Sequence, residues 1–138
     1  MLRWPKFNTP FEPTMHYWLG GISVFDREET LGAELWAYNP NDQGDRAVVI
    51  RKYILRRFEC LTYRHRFLLV EMLKDALLFP SFDFSSLFKS DDEANIYLAW
   101  DETEIFNSRV FFEEIYGAAL EEWEVDLYRA GLEDQSLW

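Results

Sequence analysis

The chain has 138 residues, 49% hydrophobic and 18% aromatic, with a formal net charge of −11 at pH 7. That length suits one domain, and so many aromatic side chains are too costly to leave in water for most of the chain to be disordered. No apolar run approaches the roughly 18 to 20 residues of a membrane-spanning helix, and the carboxylate surplus argues against direct nucleic-acid binding, which rests on clustered cations.

The start, MLRWPKFNTPFEPTM, holds three prolines and no apolar h-region. It does not read as a secretory signal, so a cytoplasmic location is expected, with residues 1–13 as a Pro-rich arm on a single domain of 1–138. Met15, Trp18, Leu19 and Ile22 have helical spacing, next to Gly20-Gly21 and a β-like ISVF. DREETLGAELWAYNP reads as a helix with Asp26 and Glu29 as a capping box and Pro40 as its stop. Mostly helix is expected in this third, with a small N-terminal sheet as the alternative.

From Arg46 to Phe79 there is no Gly or Pro, and the loop NPNDQGD before it offers Asp45 as an N-cap. Apolar positions 47, 50, 54, 58, 61, 68, 72, 76 and 79, with His65 filling the gap, step by three or four, which predicts a long helix over about 46–79. Read as a strand, Val48 to Phe58 has no clean face. A break near Thr62, itself a potential N-cap, would divide the helix in two. His65 on the apolar stripe reads as a satisfied core histidine, and Cys60, the only cysteine, as a buried structural thiol. The segment carries seven of the 14 basic residues: Arg46, Arg51, Lys52, Arg56, Arg57, Arg64 and Arg66. With Tyr53 and Tyr63 interleaved they could touch phosphates, but pairing with acids of the same fold is the preferred reading.

Pro80 ends this element and PSFDFSSLFKSDD reads as a turn. Ser90 with Glu93, and Asp101 with Glu104, have capping-box spacing, and NIYLAW between them suits either a strand or a helix end. A C-terminal helix is predicted over about 102–130, with a core stripe of Ile105, Phe112, Tyr116, Ala119, Trp123 and Leu127, a loosening at Gly117, and Gly131 at C′. The fold class is therefore mainly α: a single-domain helical bundle around the central and C-terminal helices.

Charge is concentrated at this end. Residues 1–90 hold 12 Lys+Arg and 11 Asp+Glu, and residues 91–138 hold 2 and 14. On a 100° wheel Glu113, Glu114, Glu121 and Glu124 share one sector with Gly117 and Tyr128, opposite the aromatic stripe, whereas Glu122 and Asp126 fall near the core margin as internal partners of the basic helix. Such a ribbon is either a solvated face or a surface presented to a partner's Arg and Lys. Asp91, Asp92, Glu93, Asp101, Glu102 and Glu104 add more acid than helix capping requires. The candidate partner-binding set is Glu113, Glu114, Glu121, Glu124, Tyr128, Asp101 and Glu102. Trp4, Phe7 and Trp138 lie off any periodic face and are expected to pack on their own domain.

The sequence has no HExxH, G-x-S-x-G, P-loop or Rossmann glycine pattern, and His16 and His65 have no second ligand at metal spacing. No enzyme activity, metal or cofactor is expected. In size, charge and the EEIYGAALEEWEVD ribbon the chain resembles the small acidic immunity proteins of bacterial toxin systems, those of contact-dependent inhibition and related polymorphic toxins. That resemblance implies tight binding to a cognate basic toxin, often a cationic nuclease, whose active site is covered. The nearly neutral first 90 residues depart from a uniformly acidic mimic and leave open which surface binds. The alternatives are a phage-type inhibitor that imitates DNA and a helical structural or chaperone subunit that completes its surface as a homodimer or larger oligomer.

Overall fold

Phe11 drops into the core and draws the Pro-rich arm with it. In the computed structural model, which describes residues 1–138, Arg3 bridges Pro10, and the Trp4 ring meets Phe11 and Tyr17 edge-on at 4.6 and 5.2 Å. Trp4 thus packs on its own domain while Phe7 stays exposed. A 3₁₀ segment, Met15–Ile22, follows and buries Trp18, Leu19 and Ile22. The indole N–H of Trp18 is the one buried side-chain polar group without an acceptor, at a cost of about 1–3 kcal/mol.

The β-like ISVF meets NIYLAW: Val24 N–H donates to Tyr97 O at 2.7 Å and Ala99 N–H to Ile22 O at 2.9 Å. Only the isolated bridge Ser23–Leu98 results, so the alternative N-terminal sheet is not formed. The predicted capping box at Asp26 is also absent, because Asp26 sits at φ 58°, in the left-handed region and outside the helix. The chain turns instead through a wide π-helical segment, Glu28–Gly32, into one short turn, α1 (Ala33–Leu35). Trp36 Nε1 pins this turn to the Ala99 carbonyl at 2.7 Å.

Asp42, rather than Asp45, caps α2 (Gln43–Val49), accepting from Asp45 N at 2.9 Å, while Asp45 takes the Asn39 amide. Both acids of NPNDQGD are used, one inside the other's turn. The helix then continues as a π segment, Ile50–Leu55, and tightens into a 3₁₀ turn, Arg56–Cys60. This rod of residues 43–60 buries Val49, Ile50, Ile54, Leu55 and Phe58. Cys60 ends it on the exposed side, its thiol donating to Arg57 O, and is not the buried thiol expected.

The continuous helix predicted to Phe79 is broken at Leu61, whose φ −87° and ψ 165° are extended. Thr62 restarts it as α3 (Tyr63–Leu78), with a capping box to His65. The break rotates the second half relative to the first. Leu69, Val70 and Leu73 are buried, whereas Leu68 and Met72 only pack against the core from its margin and Phe79 is exposed. His65 is buried and saturated, since Nδ1 faces the Thr62 hydroxyl at 2.6 Å and Nε2 donates to the Arg3 carbonyl at 2.6 Å, fixing the tautomer. The same imidazole caps a helix and anchors the arm.

After Pro80 a 3₁₀ turn, Ser85–Phe88, buries Leu87 and Phe88. Neither Ser90–Glu93 nor Asp101–Glu104 starts a helix. Glu104 does reach back to the Asp101 amide at 3.1 Å, but the cap that opens α4 (Ser108–Glu122) is Asn107, whose Oδ1 accepts from Val110 N at 3.2 Å. The C-terminal helix is therefore shorter than the predicted 102–130, and it is divided again at Trp123 into α5 (Glu124–Gly131). Gly131 closes α5 without a positive φ, so it is not the left-handed cap expected at C′. One hydrophobic core runs from Phe11 to Trp123, with α3 packed on α4 and α5 and the 43–60 rod laid against α4.

Candidate protein-binding surface

The surface is built where α4 gives way to α5. Trp123, at φ −106° and ψ 19°, leaves helical geometry but buries its ring against Trp18 and Phe58, each centroid 6.1 Å away. Burial of a side chain this large fixes the break, and so the direction in which α5 leaves. The wheel that defined the acidic ribbon assumes one unbroken helix, and its members separate at this point.

All five ion pairs in the molecule join an arginine of residues 46–66 to a carboxylate of residues 114–133. Glu114 grips Arg46 with both oxygens, at 2.6 and 2.9 Å, and the Arg46 side chain is only 14% exposed. That bidentate bond, more than the charge alone, raises the guanidinium's proton affinity above its ordinary value. Glu121 meets Arg51 at 2.6 Å and Glu122 the same arginine at 3.5 Å. Arg66 donates to Asp126 at 2.7 Å and to the carbonyls of Phe58 and Leu61 at 3.1 and 2.6 Å, tying the end of the 43–60 rod to α5. At the C-terminus Tyr63, Arg64 and Trp138 all donate to Glu133; the Tyr63 hydroxyl does most to hold its carboxyl below the usual range, with Arg64 adding to it.

Four of the seven basic residues of this segment, Arg46, Arg51, Arg64 and Arg66, thus find the internal partners expected of them, Glu122 and Asp126 included, whereas Lys52, Arg56 and Arg57 form no ion pair. They also sort the candidate set. Glu114 and Glu121 are engaged, one half-buried and one exposed. Glu113 on α4 and Glu124 on α5 are exposed and form no ion pair, and Tyr128, one turn on from Glu124, is 71% exposed. Asp101 is turned inward on its own loop, where the Thr103 hydroxyl, then the Thr103 amide, lower its pKa. Glu102 is half-buried on that loop and makes no ion pair. The structure sets Glu114 and Glu121 toward the 43–60 rod, leaves Glu113 exposed on α4 and Glu124 and Tyr128 exposed on α5, and keeps Asp101 and Glu102 on the loop before α4.

Two residues beside Tyr128 escape sequence reasoning. Val125 and Leu132 are 80% and 73% exposed, and with Tyr128 they are spaced i, i+3, i+7 along α5 and its C-cap residue. The signal was a second apolar stripe in EWEVDLYRAGL beside the Trp123–Leu127 one. Between α4 and the 43–60 rod lies a cleft of about 300 Å³ lined by Ala47, Ile50, Arg51, Glu114, Gly117 and Glu121 among others. A Cβ on Gly117 would meet nothing within 4 Å, so that glycine leaves the cleft open without serving any packing need.

Elsewhere, His16 shares a shallow cavity with Ser86, Ser90 and Asp91, but no hydrogen bond joins it to them. No group of three or more His, Cys, Asp or Glu is arranged to hold a metal ion, and no helix is long and apolar enough to cross a membrane. Compared with protein-family models, curated proteins and solved structures, the chain matches none.

Proposed function

We propose that the protein is an acidic, non-enzymatic binding protein of the immunity type, which neutralises a cognate basic toxin in a bacterial cytoplasm. The observation that carries this reading is the α5 face, where Val125, Tyr128 and Leu132 are exposed beside Glu124, with Glu113 also unpaired. An exposed aromatic flanked by aliphatics suits the desolvated centre of an interface, and carboxylates at its rim favour a cationic partner by steering and by charge match. The DNA-mimic alternative is weakened by the ion pairs, since Glu114 and Glu121 are drawn to arginines and no regular acidic row remains.

Affinity purification of the native complex tests the proposal, and a single strongly basic protein in stoichiometric amount is the expected result. Glu113→Lys with Glu124→Lys, and Tyr128→Ala separately, should each weaken capture of that protein at least tenfold while leaving the melting temperature unchanged, because none of the three side chains has an internal ion pair. Capture of the same partner with undiminished affinity by all these variants would remove the assigned role of α5.

A further inference from the structure

Arg27, Lys52, Arg56 and Arg57 converge on one groove of about 400 Å³, whose floor is Gly20-Gly21 and whose remaining walls are Leu31 and Tyr53. None of the four forms an ion pair, although the chain carries 25 carboxylates against 14 Lys and Arg. The carboxylates of the surrounding elements do not pair with them. Glu34 accepts from the Tyr53 hydroxyl at 2.7 Å, Glu59 and Glu122 share a neighbouring cavity with Arg51, Lys52 and Arg56 without an ion pair to the last two, and Glu28 and Glu29 are exposed and unpaired. Six other Lys and Arg also form no ion pair, but these four are the ones gathered on a single groove.

The groove is also held in shape. A Cβ on Gly20 would lie 1.8 Å from Arg57 Nη1, and one on Gly21 would lie 1.9 Å from the Tyr53 carbonyl oxygen. Gly21 is therefore required for the 3₁₀ segment to approach the rod so closely, whereas a side chain at Gly20 would displace only the Arg57 guanidinium from its place in the groove. Arg57 is steadied by a bond from Nη1 to the Tyr17 carbonyl at 3.2 Å and by the Tyr17 ring 5.0 Å from its guanidinium carbon, and Arg27 by a bond from Nη2 to the Ser23 carbonyl. Each of these guanidiniums has five N–H donors and spends few of them internally, so donors remain for a ligand already held near the geometry in which it would be met.

We propose that this groove binds a small phosphate-bearing ligand. Planar guanidinium forks match pairs of phosphate oxygens, and three forks with one ammonium suit more than one phosphate group. The groove encloses about 400 Å³, and outside it the chain carries 25 carboxylates against ten other Lys and Arg. A long polyanion would meet that excess of negative charge beyond the groove, so the ligand is a phosphate chain of small size, whether inorganic or carried on a nucleotide. The site is independent of the α5 surface and does not rest on the protein-binding reading.

The experiment titrates the full chain at low salt with pyrophosphate, with ATP and with citrate, read by calorimetry and by amide resonances. Pyrophosphate should shift Gly20, Gly21, Lys52 and Tyr53, and Lys52→Gln with Arg56→Gln should weaken binding at least about tenfold without lowering the melting temperature, since both side chains are exposed and form no hydrogen bond or ion pair in the fold. Equal affinity for ATP and pyrophosphate assigns recognition to the phosphate chain, and tighter ATP binding assigns it to a nucleotide; either supports the site. Citrate bound as tightly as pyrophosphate, a single-stranded oligonucleotide preferred to it, shifts confined to other surfaces, or no binding at millimolar pyrophosphate would each overturn it.

Discussion

The rod at residues 43–60 has a cleft on either side, and each cleft has a glycine in its wall, but the two are built differently. On the α4 side Arg51 is matched by Glu121 and Glu122, and Gly117 faces open space. On the Met15–Ile22 side the cations form no ion pair, and Gly20 and Gly21 are pressed against the Arg57 side chain and the Tyr53 backbone. Where charge is neutralised within the fold, packing is slack. Where packing is tight, charge is left unneutralised. Cations of one chain segment thus divide between holding the structure together and facing outward, and sequence position alone does not say which.

This contrast can be broken most sharply at Gly21. Gly21→Ala places a methyl group against a backbone carbonyl that cannot move without displacing the rod, and chemical denaturation should record a loss of about 3 kcal/mol. Arg66→Ala comes next, at about 2–3 kcal/mol, because it strands the Phe58 and Leu61 carbonyls and the Asp126 carboxylate together. Gly117→Ala should do the opposite of Gly21→Ala and raise stability by about 0.5–1 kcal/mol, since the helix gains a better former and nothing is displaced. A loss at Gly117 would show that the α4 cleft is tighter than its geometry indicates. A double-mutant cycle between Arg51 and Glu121 should return less than about 1 kcal/mol, both side chains being well exposed.

Acid provides the gentlest test. The carboxyl of Glu133 is held below its ordinary value by Tyr63 and Arg64, so its folded-state pKa lies under that of the unfolded chain. Its contribution is complete above the usual glutamate range and disappears as pH falls through that range to the depressed value. Glu133→Gln should therefore lower the melting temperature slightly at neutral pH, and the gap from the parent should close in acid. A gap that widened in acid would reverse the assigned sign.

Much of this architecture was legible before folding was considered. The period of three and four across 46–79, Thr62 as a cap, His65 in the core and the C-terminal aromatic stripe all follow from local pattern. What escaped depends on events the pattern does not encode. A single extended residue, Leu61, rephases the second half of the helix, moving burial from Leu68 and Met72 to Leu69 and Leu73. Asp26 and Gly131 exchange the backbone roles expected of them: the aspartate takes the left-handed conformation and the glycine does not. In the candidate surface, four ribbon carboxylates are equivalent by wheel angle, and only tertiary placement beside Arg46 and Arg51 separates Glu114 and Glu121 from Glu113 and Glu124. The free cations at 27, 52, 56 and 57 come from two distant segments, so no local motif could have joined them.

The break at Trp123 has an optical consequence. Its indole lies nearly parallel to that of Trp18, with the planes 25° apart and centroids separated by 6.1 Å. Two chromophores so close couple their excited states, and the coupling contributes a couplet to the circular dichroism to the extent that their transition dipoles are not parallel. One ring comes from the first 3₁₀ segment and the other from the joint at the base of α5, so the couplet measures whether the two ends of the chain are docked. It can be followed in the native sequence, without a label, while a basic protein or a phosphate is added.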